Sequence, residues 1–72
     1  MKFSYWIDYP SMSIAIQVDN NTFRCVKFVE KKVVRGAERI FDSVSDLEAF
    51  LSSLPYPPQE QISEVLEDLI VD

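Results

Sequence analysis

Apolar and polar residues alternate with a period of two through Phe41 and then change to a helical period. Over 2–8, Phe3, Tyr5 and Ile7 share one side and Ser4, Trp6 and Asp8 the other, which predicts a strand with one half-buried face. Tyr9-Pro10-Ser11 punctuates it. Met12, Ile14, Ile16 and Val18 then alternate with Ser13, Ala15 and Gln17, the cleanest strand signal in the chain, over 12–18. Asp19-Asn20-Asn21 reads as a turn, because Asn and Asp tolerate left-handed backbone and bond their own main chain. A third strand is predicted over 22–31. Phe23, Cys25, Lys27 and Val29 share one of its sides; Arg24, Val26, Phe28 and Glu30 share the other. Glu30-Lys31-Lys32 forms the next tip, and 33–41 returns as a fourth strand in which Gly36 marks a bulge or a close approach.

The helical period begins with a legible start. Ser43 is an N-cap residue, and Asp46, three positions on, completes a capping-box pattern. Val44, Leu47, Phe50, Leu51 and Leu54 then form one apolar stripe, which predicts a helix over 44–54 ended by Pro55. Pro58 suits a first helical position. Ile62, Val65, Leu66, Leu69 and Ile70 make the stripe of a second helix over 58–71, with Glu60, Glu64, Glu67, Asp68 and Asp72 around it. The fold class is therefore α+β: a four-stranded antiparallel sheet backed on one face by two helices.

The faces follow from the pattern. Met12, Ile14, Ile16 and Val18 face the core. A first strand that buries Phe3, Tyr5 and Ile7 exposes Trp6. A third strand that buries Val26 and Phe28 exposes Cys25, Lys27 and Val29. The face away from the helices then carries Trp6, Gln17 and Lys27. An exposed Trp among polar residues is a typical interface anchor; the plainer reading leaves Trp6 half-buried at a sheet edge.

Composition narrows the function. Seventy-two residues make one domain with a small core. Apolar residues make up 47%, so disorder is not expected. No apolar run approaches the ~20 residues that span a bilayer, and Met1–Tyr5 lacks the apolar core of a signal peptide, so a cytoplasmic location is expected. The single Cys25 has no partner for a disulfide or a thiolate metal site. There is no histidine and one glycine, which removes the commonest general base and any usual phosphate-cradling loop. Neither catalysis nor a cofactor is expected, and what remains is a binding surface. The net charge of −5 is uneven. Arg24, Lys27, Lys31, Lys32, Arg35 and Arg39 stand against only Glu30 and Glu38 in the middle, whereas 40–72 hold acids and no base. The basic segment admits a nucleic-acid contact, and the acidic second helix admits mimicry of a phosphate row; solvated edges and plain solubility are the simpler and preferred accounts of both.

The chain resembles the small phage-encoded anti-CRISPR family that inhibits the type I-F surveillance complex. The resemblance rests on Met1-Lys2-Phe3, on Met12 with Ile14-Ala15, on Val26 and Val29, on Gly36-Ala37, and most densely on Phe41-Asp42-Ser43, Leu47-Glu48, Phe50 and Leu54-Pro55, continuing to Ile62 and the acidic second helix. It implies a four-stranded antiparallel sheet backed by two helices. It also implies a stoichiometric inhibitor that binds the repeated protein subunit of the guide-RNA complex and blocks hybridisation of target DNA, with no direct DNA contact of its own. The family's contacts lie on the open sheet face: an aromatic on the first strand, matched by Trp6 or, with a register slip, Tyr5; a tyrosine on the second, where Gln17 stands; and a glutamate on the third, where Lys27 stands. A monomer is expected, with a dimer through a free sheet edge as the alternative.

Overall fold

The computed structural model describes residues 3–70. Two-residue turns set its sheet. β1 (Tyr5–Tyr9) and β2 (Met12–Asp19) pair antiparallel with Tyr9 opposite Met12, leaving Pro10-Ser11 as the turn. β2 joins β3 (Thr22–Val29) through Asn20-Asn21, with Asp19 opposite Thr22. Asn20 takes the left-handed conformation, φ 58°, which asparagine accepts more readily than most residues. β3 turns through Glu30-Lys31 into β4 (Lys32–Val33). Both turn residues have positive φ, 53° and 67°, as a type I′ hairpin requires to match the strand twist.

The sequence predicts one strand over 33–41. It is divided instead. After β4 the chain leaves the ladder, passes through Gly36 at φ 81°, and returns to β3 as β5 (Arg39–Phe41), with Arg39 opposite Cys25. A positive φ is the glycine's contribution, and it breaks the strand rather than bulging it. The loop keeps its own bonds: Val34 N–H donates to Lys27 O (2.8 Å) and Ala37 N–H to Val34 O (3.4 Å). The sheet runs β1-β2-β3-β4, with β5 also on β3.

Two helices cover one face. α1 (Val44–Ser53) starts where Ser43 Oγ accepts from Asp46 N–H at 3.1 Å. It ends one residue before the expected Leu54, which is extended (φ −76°, ψ 150°) ahead of Pro55. α2 (Gln59–Ile70) begins just after Pro58, whose carbonyl accepts from Ile62 N–H at 3.0 Å. The expected start at Pro58 therefore moves by one residue, and the expected end at Val71 lies outside the described residues, as do Met1, Lys2 and Asp72. Ile7, Ile16, Cys25, Leu47 and Leu51 are fully buried between sheet and helices. Each such aliphatic side chain contributes about 1.5–3 kcal/mol.

Two expectations about faces are corrected. β3 buries Phe23 and Cys25 against the helices, not Val26 and Phe28. Cross-strand partners share a face, and Cys25 stands opposite Ile16 and Phe23 opposite Val18, so β2 dictates the choice. Phe3 also leaves the helix side. Ser4 N–H donates to Ile16 O (2.8 Å), although Ile16 is the ladder partner of Tyr5. Two residues thus oppose one, the pattern of a β-bulge, and the alternation before it is reversed. Among the described residues the first strand accordingly starts at Tyr5 and runs to Tyr9 rather than Asp8, the expected start at Lys2 lying outside them, and the third ends at Val29 rather than Lys31 because Glu30 and Lys31 form the turn.

A candidate binding face on the open side of the sheet

Alternation sends every second side chain away from the helices, and the register stacks them in rows. Trp6, Ala15 and Val26 form one row across three strands. Asp8, Ser13, Phe28 and Val33 form the next, and Gln17, Arg24 and Ile40 a third. Phe3, Trp6 and Phe28 close into a cluster, with ring centroids 5.0 to 5.9 Å apart. Edge-on pairs of this kind gain about 0.5–1.5 kcal/mol beyond their buried area. Ala15 and Val26 are buried although no helix covers their side, because the three rings roof them.

The roof itself stays open. Trp6 is 50% exposed, Val33 53% and Ile40 61%. A cleft of about 330 Å³ opens beside Trp6, bounded by Phe28, Ser13 and Lys31. The charged groups around the rings are answered locally. Arg24 pairs with Glu38, and its Nη1 donates to Gln17 Oε1 at 3.3 Å. Ser13 Oγ donates to Asp8 Oδ1 at 2.8 Å. The face therefore offers apolar area with a polar, largely self-compensated rim, the layout of a protein interface.

The four candidate residues divide between the two faces. Trp6 and Gln17 share the open face. Lys27 does not join them, because its position opposite Ile14 puts it on the helix side. Tyr5 is also on the helix side, where its hydroxyl donates to Asp68 Oδ2 of α2. That bond, first, and partial burial push the Tyr5 phenol above its ordinary range. The residues that sequence reasoning missed are Phe3 and Phe28, assigned to the core, and Val33 and Ile40 of the divided fourth strand.

The Cys25 thiol is pushed up to about 12 by burial, which suppresses the thiolate. Burial likewise raises Tyr9 to about 12, and its hydroxyl donates to Leu51 O at 3.2 Å as a tie between sheet and helix. Among the described residues no three His, Cys, Asp or Glu side chains converge as a metal site, and no helix is long and apolar enough to cross a membrane. No family model, curated protein or solved structure matches the chain.

Proposed function

We propose that this chain is a stoichiometric binding protein that engages its target through the open sheet face, with Trp6 as anchor and Phe3, Phe28, Val33 and Ile40 around it. Its target, following the resemblance, is a protein subunit of a type I CRISPR guide-RNA complex, which it occludes so that target DNA cannot hybridise. One observation carries the reading: a half-exposed Trp stands in an aromatic cluster, on a sheet face that no helix covers. Clustered aromatics of this kind supply most of the energy of many interfaces. The Lys27 departure matters less in this geometry, since Lys27 faces the other way. The cations are divided between the two faces, and Arg24 is tied to Glu38, which favours a protein target over a nucleic-acid track.

The experiment is co-elution of the full chain with a purified type I-F guide complex, alongside target-DNA binding by that complex. Wild type should co-elute and block the DNA. Trp6→Ala and Phe28→Asp should lose both while keeping a native circular dichroism spectrum. Failure of wild type to co-elute removes the named target; co-elution that survives both substitutions removes the open face. A gel shift on bare RNA or DNA that steepens as salt falls would support the nucleic-acid alternative.

A further inference from the structure

The helix side of the sheet is not covered everywhere. At the end of α1, Met12, Ile14, Phe50 and Leu54 wall a cavity of about 160 Å³ together with Lys27 and Arg39. It runs into a wider groove of about 430 Å³ past Pro55 and Tyr56, with Met12, Lys27 and Leu54 common to both. No carboxylate lines either part, in a chain whose net charge is −5. Lys27 and Arg39 have no carboxylate partner among the described residues; Arg39 donates only to the Glu38 main-chain carbonyl at 2.9 Å. The groove is thus apolar with two uncompensated cations.

The opposite edge of the molecule carries the matching chemistry. Glu60, Glu67 and Ile70 lie in one stripe on the solvent side of α2, at i, i+7 and i+10. Ile70 is 63% exposed. Glu67 lies in the second half of the helix, where it opposes the helix dipole and no base in the last turn offsets it, whereas Glu60 lies in the first turn. Within one chain this stripe cannot reach the groove. α2 is fixed on the β1 edge by Gln61 and by Tyr5–Asp68, and the groove lies over β2, β3 and β5 at the end of α1. We propose that the groove receives α2 of a second copy of this chain, with Ile70 in the apolar cavity and Glu67 and Glu60 against Lys27 and Arg39. Reciprocal exchange makes a closed two-fold dimer that leaves both open sheet faces free. The mode is a helix in a groove, with charge setting the register.

Sedimentation of the full chain from about 10 µM to about 1 mM, at about 0.02 M and about 0.5 M salt, reads the association directly. A dimer should form as concentration rises and weaken with salt. Lys27→Glu/Arg39→Glu, and separately Glu60→Lys/Glu67→Lys, should each weaken self-association by at least about tenfold. An equimolar mixture of the two variants should recover it, because both grooves then meet a complementary helix. This rescue also guards against misfolding, since an unfolded variant cannot restore binding. A wild type that stays monomeric throughout overturns the proposal, as does a mixture that fails to associate. Association that persists in both variants but is lost in Trp6→Ala would assign the dimer to the open face instead.

Discussion

Gln61 of α2 holds both main-chain polar groups of Asp8: its Oε1 accepts from Asp8 N–H at 2.8 Å and its Nε2 donates to Asp8 O at 3.2 Å. A side-chain amide thus takes the place of a neighbouring strand on the free edge of β1, and it docks the acidic helix there. Gln61→Ala should cost about 1–2 kcal/mol, at about 0.5–1.5 per bond with water replacing part of the loss, read as a lower urea midpoint. Gln61→Glu keeps the acceptor and loses the donor, so its midpoint should fall between the two. An unchanged midpoint in Gln61→Ala would mean that the edge is equally well satisfied by solvent.

The Glu30-Lys31 turn carries left-handed backbone at two residues that have side chains. Replacing them by Asn and Gly relieves about 1 kcal/mol. The double variant should melt roughly 4–8 °C higher, by thermal scanning, with the same spectrum. A lower melting temperature would contradict the type I′ assignment.

Trp6 and Leu51 should separate binding from folding. Leu51 is fully buried between α1 and the sheet, so Leu51→Ala should cost about 2–5 kcal/mol. Trp6 is half exposed and contributes through the ring cluster and the cover it gives Ala15 and Val26, so Trp6→Ala should cost about 1–2 kcal/mol and leave m unchanged. If Trp6→Ala destabilises as much as Leu51→Ala, the cluster belongs to the core and is no free anchor.

Alkali should unfold the domain through groups that burial keeps protonated. Cys25 is raised from 9.0 to about 12 and Tyr9 from 10.0 to about 12. The unfolded chain releases these protons first, so it binds fewer than the native state between pH 9 and about 12, and stability falls across that window. The melting temperature should drop as pH rises above 9. Cys25→Ala removes one of the titrating groups, so its curve should start lower and fall less steeply. A parallel curve would rule out the thiol as a contributor.

Much of the fold is legible in the residues themselves. Ser43 and Asp46 state where α1 begins, and Pro55 and Pro58 place its end and the start of α2 to within one residue, because caps and prolines act through their own local geometry. The alternation of Ile14, Ile16 and Val18 states which side of β2 is buried. The face of β3 was less plain, since both of its sides are apolar. The signal was nevertheless present: a two-residue turn at Asn20-Asn21 sets Asp19 against Thr22, and counting back brings Val18 to Phe23, Ile16 to Cys25 and Ile14 to Lys27. Lys27 could have been assigned to the helix side from that count alone.

By itself, then, the sequence determined that the strands precede two helices, where α1 starts and which side of β2 is buried, all of which depend on neighbours along the chain. The tertiary structure alone decided two things. The bulge at Ser4 reversed Phe3 onto the Trp6 side, and Gly36 divided the last strand. Together with the register of β3, the bulge joined Phe3, Trp6 and Phe28 into one cluster on the open face. The physical reason is common to them: a one-residue shift in pairing changes the face of every side chain beyond it, and that shift is fixed by contacts between strands rather than within them.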